Sequence, residues 1–402
     1  MTAAEFITRH ELDAAYIDGQ ECLQKLLEEM KLGLEGKGNI PMIPSYLPLK
    51  IRPVTGQPCC VLDAGGTNLR VAKAVFLEDG SCELSGLRKT AMPGTEGELS
   101  FREFYDTLGA YVRDTGCPER VGLCFSYNVE LERNLDGILH SWCKEVRVPD
   151  APGKPVGASL RHAVGSCCRS VRVLNDSTAA LLGAHACNPQ ITVGLILGTG
   201  INICYVEPCG NIPKVAGDLR CDAMIISTEI GEFNGFPHST FDRDVIAASD
   251  EPDMAHGEKQ CAGAYLGELI CRAWKCAAAE GILPQHFAAD VSLPQISDYL
   301  AGKETAIGEN EDARLIAWTM LRRAAKIAAV LTAGPVLRSC PSGGNCTLVI
   351  EGSQFRKLTG FGDAFCGELE QLLGACGIRF SVAEVENSCL IGAALAAFAE
   401  EM

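Results

Sequence analysis

The 402-residue sequence has no excess of basic charge: 35 lysines and arginines stand against 51 acids, a formal net charge of −16. General binding to nucleic acid or to an anionic membrane wants a basic face, so neither partner is expected. A nucleotide ligand would need its charge offset locally, by Mg²⁺ and a few placed cations. No run approaches the roughly 18 apolar residues of a membrane span. The start, MTAAEFITRHELDAAY, has no basic stretch leading into an apolar one, so no secretory signal is expected and the expected location is cytoplasmic. The 21 cysteines are odd in number, irregularly spaced and form no C-x-x-C pair. They are expected to be small buried hydrophobes in a reducing compartment rather than disulfides. Seven histidines are scattered without ligand spacing, which argues against a zinc site.

What is present is a chain with 47% hydrophobic residues, enough for a large core and for two or three domains. The most informative stretch is Cys59 to Phe76, CCVLDAGGTNLRVAKAVF. An apolar run closes on Asp63; Gly65 and Gly66 let the backbone turn and approach a ligand with no Cβ between them. Thr67 and Asn68 add short polar side chains, and Arg70 follows on an alternating return segment. The unit reads as a β-hairpin whose tip, with amides, a hydroxyl and a guanidinium, suits a phosphate. Taken alone it is equally an ordinary hairpin. A second copy lies at residues 193–206, VGLILGTGINICYV, with Thr199 and Asn202 at its turn. Two such hairpins suggest a duplicated architecture whose halves face a shared cleft.

Helical periodicity marks residues 11–32, and 40–58, with five prolines, reads as an extended arm. A polar link after the first hairpin, a helix at 99–115, a strand at 121–125, a long loop holding Trp142-Cys143-Lys144, a helix at 158–168 and a strand at 171–174 come next. Further on, helices are expected near 258–281, 309–333, 360–376 and 390–400, with strands at 347–350 and 382–385. Alternating strands and helices indicate an α/β architecture with a mostly parallel sheet, in which ligands sit at the carboxyl ends of strands. The residues at such ends are Asp63, Ser126, Asn175, Asp176, Thr199, Glu229 and Ser353. Any one of the acids, taken alone, reads first as a helix cap, and only the set together points to a site.

The series LDAGGTNLRV, FSYN, WCKE, VLNDSTAALL, LILGTGINICYVE, STEIG, GAYLGEL, IEGSQFRKL and ENSCLIGAAL resembles, in order, the hexokinase family of sugar kinases. The tail and the single-unit length look like a bacterial branch, without the cysteine cluster of the other large group of bacterial glucokinases. The resemblance implies a two-lobed actin-like ATPase (ribonuclease H-like) fold with duplicated β-hairpin phosphate loops. Its lobes would be 51–175 plus 388–402, and 1–50 plus 176–387. It implies ATP-dependent phosphorylation of a hexose at the 6-hydroxyl, with ATP and Mg²⁺, by a monomer or homodimer. In that frame Asp176 is the catalytic base, assisted by Lys144 and Arg70. Asp63 holds Mg²⁺ through water. Gly65, Gly66, Thr67, Asn68 and Arg70 face the phosphates from one side, Gly198, Thr199 and Gly200 from the other, and Gly352 and Ser353 border the adenosine. The sugar falls to Ser126, Cys143, Lys144, Asn175, Asp176, Asn202, Glu229 and Glu268, although from spacing alone Glu268 is an ordinary exposed helix position.

Three departures from the family pattern concern the sugar. Cys143 stands where Thr is usual, Asn128 where Pro usually follows Ser-aromatic, and Ser227 where animal enzymes carry Asn. Ser227 is the smaller change; Cys143 and Asn128 motivate one alternative, a sugar-binding regulator that has lost turnover. A second alternative is an actin-like ATPase without a sugar substrate. The second would leave Lys144, Glu229 and Glu268 with no shared purpose.

Overall fold

The computed structural model describes residues 1–142, 146–215, 217 and 221–400. Among them the strands are β1 (Ile43–Pro48), β2 (Pro58–Ala64), β3 (Asn68–Phe76), β4 (Cys82–Ala91), β5 (Arg120–Phe125), β6 (Asn128–Leu131), β7 (Gly137–Ser141), β8 (Ser170–Leu174), β9 (Ile191–Leu197), β10 (Ile201–Pro208), β11 (Ala223–Ser227), β12 (Gly344–Glu351) and β13 (Ile378–Ala383). The fold is mixed α/β. By contact density the chain resolves into two compact units, one of Ile43–Gly194, Cys204–Ser227 and Ala383–Met402, the other of Met1–Met42, Leu195–Ile203 and Thr228–Val382.

The first unit is built on a five-stranded sheet of order β4-β3-β2-β5-β8. β4, β3 and β2 run antiparallel, while β2–β5 and β5–β8 are parallel. Leu62, Leu69, Leu123 and Val173 of its strands share one core with Phe104, Leu108 and Leu160 of the helices Phe101–Asp114 and Val156–Val164. The helices Asp176–Cys187 and Ser388–Ala396 lie close together because glycine allows it. A Cβ on Gly183 would stand 2.1 Å from Ser388 O, and one on Gly122 of β5 would stand 1.8 Å from Ala393 O. In the same unit β11 pairs antiparallel with β10 and with β1.

The second unit is mainly helical. Its longest helix, Glu311–Ser339, is buried on every side over residues 327–336, where its sequence is apolar but for Thr332. It packs against Gly19–Leu34 and Phe361–Gly374. A buried ion pair joins Arg323 of this helix to Asp242 at 2.7 Å. β12 and β13 are neighbours in its sheet.

Several expected elements shift. The helix anticipated over 11–32 begins at Gly19, where Asp18 accepts the amides of Gln20 and Glu21 at 3.0 Å each; Ala3–Arg9 is a separate helix opened by a Thr2/Glu5 capping box. The polar link is β4, an edge strand whose mostly exposed side chains need no apolar alternation. The long loop before Trp142 contains the β6–β7 hairpin. The last strand ends at Ala383 rather than beginning at Val382. The helix expected over 258–281 is two, His256–Cys261 and Gly263–Ala279, broken at Ala262 with ψ 157°. One cysteine pair also departs from expectation: Cys117 and Cys167 are bonded, Cα to Cα 6.1 Å. They come after two helices that approach closely, since a Cβ on Gly109 would stand 3.0 Å from the Ala163 carbonyl. The other described cysteines are in no disulfide.

Candidate active site

In the first unit, sheet register aligns the expected residues. Ala64 pairs with Phe125, and Cys124 with Leu174, so the parallel strands β2, β5 and β8 end together. Gly65-Gly66-Thr67 succeeds β2, Ser126 succeeds β5, and Asn175-Asp176 succeeds β8. Ser126 N–H donates to Ala64 O at 3.1 Å, and the Tyr127 hydroxyl donates to Gly65 O at 2.7 Å, which ties the hairpin tip to the end of β5.

The helix after β8 separates two roles that the sequence left merged. Asn175 is its N-cap: Oδ1 accepts the Ser177 amide at 2.9 Å and the Ser177 hydroxyl at 2.7 Å. Ser227, the last residue of β11, buttresses this pair, its Oγ 3.2 Å from that of Ser177 and 3.5 Å from Asn175 Oδ1. Asp176 is therefore not the cap but the first helical residue. Its Oδ1 accepts the Ser177 amide at 2.8 Å, and Oδ2 has no hydrogen bond among the described residues.

At the first hairpin Asp63 and Arg70 are cross-strand partners. The guanidinium donates to Asp63 Oδ2 from Nε at 2.7 Å, with Nη2 at 2.5 Å. Burial works against the Arg70 charge, but the Asp63 carboxylate and its hydrogen bond outweigh it and hold the Arg70 pKa above its ordinary value. Thr67 accepts a hydrogen bond from the Asn68 amide group at 2.8 Å, and both side chains are exposed at the tip. Cys143 and Lys144 lie outside the described residues.

In the second unit, the turn Gly198-Thr199-Gly200 is closed by Gly198 N–H donating to Gly200 O at 3.0 Å. The carbonyls of Gly198 and Thr199 accept the amides of Gly263 and Ala264, at 2.9 and 3.0 Å, which open the helix Gly263–Ala279. Gly352 lies against the same strand end. At φ 121° it is in a region that favours glycine, and a Cβ there would stand 2.2 Å from Leu197 O. The Ser353 amide nitrogen would be 3.6 Å from a Cβ on Gly198, so the structure brings the turn, Gly352 and Ser353 together.

Asn202 and Glu229 form a reciprocal pair. Asn202 Nδ2 donates to Glu229 Oε1 at 2.6 Å, and the Glu229 amide donates to Asn202 Oδ1 at 3.0 Å. Glu229 is held left-handed, φ 54° and ψ 48°, a conformation costing a non-glycine residue about 1–2 kcal/mol. Strain of this kind gathers at functional sites.

Glu268 is placed differently. Arg272, one turn on, donates to its Oε1 from Nε at 2.8 Å and Nη2 at 2.6 Å, in a pair whose Glu268 side chain is 47% exposed. The acid that stands with the second hairpin is Glu258. Its Oε2 accepts the Ile201 amide at 3.0 Å and would touch a Cβ on Gly200 at 2.5 Å; its own Cβ would be 3.0 Å from one on Gly231. It thus lies among the neighbours of Asn202 and Glu229. A single helix over 258–281 hid it, and Gly263 after Ala262 was the only cue to the break.

Two family profiles, both described as hexokinase, match residues 3–186 and 192–399. The chain belongs to the hexokinase family. Among curated relatives, the hexokinase-like 1 protein of Arabidopsis thaliana is 31% identical over 291 residues, 67% of this chain and 59% of that protein. Hexokinase-2 of Candida albicans is 30% identical over 62% of this chain and 56% of that protein. The chain thus spans less than two thirds of either. Hexokinase-2 of Schizosaccharomyces pombe is 27% identical, with 94% and 92% covered. A solved hexokinase from Schistosoma mansoni, complexed with glucose, superposes with TM-score 0.83 at 22% identity, covering 98% of both chains. That likeness establishes the hexokinase, actin-like ATPase fold. The hexokinase profiles meet between residues 186 and 192, where the helix that Asp176 opens gives way to β9.

Proposed function

We propose that this member of the hexokinase family transfers the terminal phosphoryl group of MgATP to the 6-hydroxyl of a hexose, glucose first among them. The observation that carries the reading is Asp176: a carboxylate relieved of capping by Asn175, with Oδ2 open to accept a proton. A base so placed takes the hydroxyl proton as the oxygen attacks phosphorus, and such a base is typically worth about 10²–10⁴ in rate. Lys144 would act beside it. Arg70 and the tip Gly65-Gly66-Thr67-Asn68 would meet the phosphates, as would Gly198, Thr199 and Gly200, with Gly352 and Ser353 toward the adenosine.

Mg²⁺ enters as part of MgATP. It keeps several waters and takes only one or two protein carboxylates, so the donor set at the first hairpin, Asp63 with no three-ligand cluster around it among the described residues, fits. The ion would neutralise phosphate charge. Sugar hydroxyls need acceptors and a few fixed donors. Asn202, Glu229, Asn175 and Ser126 would supply these, together with Cys143. Glu258 is the better-placed second acid; Glu268 already holds Arg272. The glucose complex of the Schistosoma relative supports a hexose as acceptor. The proposal includes a cytoplasmic location and a monomer or homodimer; among the described residues no helix is long and apolar enough to cross a membrane.

A coupled assay of ADP release with ATP and glucose, mannose, fructose, glucosamine or N-acetylglucosamine tests this. Turnover with glucose is expected. Binding of glucose without turnover of any sugar would make the chain a sugar-binding regulator instead.

A further inference from the structure

His10 closes the carboxyl end of the helix Ala3–Arg9, and Glu280 that of Gly263–Ala279. Their side chains meet: His10 Nε2 stands 3.9 Å from Glu280 Oε1. The Cys276 thiol, one turn earlier on the Glu280 helix, stands 3.8 Å from the same oxygen. One ligand atom from each of the three lies within 4.8 Å of the others. His10 is only 8% exposed, its ring against Phe6 and Phe241 with centroids 4.3 and 5.2 Å away. Both ring nitrogens are buried, and neither has a hydrogen-bond partner among the described residues. Polar atoms are seldom left so, because burial without a partner is costly.

We propose that His10, Cys276 and Glu280 bind one divalent transition-metal ion of the Zn²⁺ class, with water in the fourth position. The spacings are the first ground. Zinc lies about 2.0–2.1 Å from nitrogen, 2.3 Å from sulfur and 2.0–2.2 Å from oxygen, so at a tetrahedral ion nitrogen and oxygen stand about 3.4 Å apart and sulfur and oxygen about 3.6 Å. The 3.9 Å N···O and 3.8 Å S···O separations are wider than these by about 0.5 and 0.2 Å, a gap that a small side-chain shift closes. An N–H···O hydrogen bond would bring the first pair to about 3 Å. The donor set of imidazole, thiolate and carboxylate suits zinc and not Mg²⁺ or Ca²⁺.

The surroundings agree. Cys276 and Glu280 are four residues apart and share a helix face. Two helices end here, and the carboxyl ends of helices favour a cation. Arg9 approaches Glu280 to 3.5 Å, but its side chain is largely exposed and such a pair is weak enough to yield. Asp244 lies within electrostatic reach of both His10 and Cys276 and adds negative potential. On binding, the Cys276 S–H proton goes to solvent and the sulfur binds as thiolate. The ion would staple the Ala3–Arg9 helix to the helix whose first amides hold the Gly198-Thr199 carbonyls.

The test is titration of the full-length, chelator-stripped protein with Co²⁺ as a spectroscopic probe, then with Zn²⁺. Expected are one equivalent of bound Co²⁺ with a thiolate-to-cobalt charge-transfer band, its displacement by Zn²⁺, and a rise in Tm with Zn²⁺. Cys276→Ala and Glu280→Gln, at sites tolerant of change, should each lose the band while retaining the wild-type circular dichroism; His10→Gln should lose it too. A double Cys209→Ala/Cys221→Ala variant, which removes the neighbouring thiols 3.2 Å apart, should keep it. No charge-transfer band in the wild type, a band intact in Cys276→Ala, or one lost only in the Cys209/Cys221 variant would overturn the proposal.

Discussion

At the first hairpin tip, Asp63 and Arg70 face one another across β2 and β3, and the exposed side chains of Thr67 and Asn68 stand beyond them. At the second, Gly198-Thr199-Gly200 carries no charge of its own; its carbonyls are taken by the amides of Gly263 and Ala264, and the Ile201 amide is taken by Glu258. The same turn chemistry is thus used in two ways. In the proposed reading the first tip would meet phosphate with charge that is already paired and must be exchanged, the second with backbone and one hydroxyl held on a helix. Charge-assisted hydrogen bonds are roughly twice as strong as neutral ones, so the two tips should respond unequally to substitution.

The largest difference is expected between Arg70→Met and Thr199→Ala. Loss of a charged donor to a developing transition-state charge costs about 10²–10³ in kcat. Loss of one neutral hydroxyl costs about 0.5–1.5 kcal/mol, or about tenfold at most. Steady-state kinetics with varied ATP decide it, and equal losses would break the comparison. Next come the acids beside the second tip. Glu258→Gln should raise the hexose KM by about ten- to a hundredfold, the scale of a hydrogen bond to a charged group. Glu268→Gln should stay within about twofold, since it removes only an exposed ion pair. The reverse order would return Glu268 to the sugar. A smaller effect, on stability alone, concerns the frame under the first tip. Gly122→Ala forces a Cβ onto the Ala393 carbonyl and should cost about 1–3 kcal/mol in denaturant unfolding.

Much of this was legible in the sequence because it depended on local pattern. The apolar runs ending in Asp63, Ser126 and Asn175-Asp176 are strands that end in register, and the glycine turns are hairpins. What escaped depended on contacts distant in sequence or on backbone breaks that no side chain announces. Ala262 is a good helix former, yet it is extended in the structure, and the break parts Glu258 from Glu268. β4 escaped because an exposed edge strand needs no apolar alternation. The merged roles of Asn175 and Asp176 could be separated only by seeing which side chain accepts the Ser177 hydroxyl. Histidines with no ligand spacing argued against a metal site, but His10 meets Cys276 and Glu280 only through the fold.

Asn175 caps the helix, which leaves Asp176 for the proposed chemistry. The direct measurement is Asp176→Asn, with glucose binding monitored by calorimetry and turnover by the coupled assay on the same folded sample. Glucose affinity within a few-fold of wild type and kcat lower by about 10²–10⁴ are expected. A near-normal kcat in that folded variant would contradict that role for Asp176.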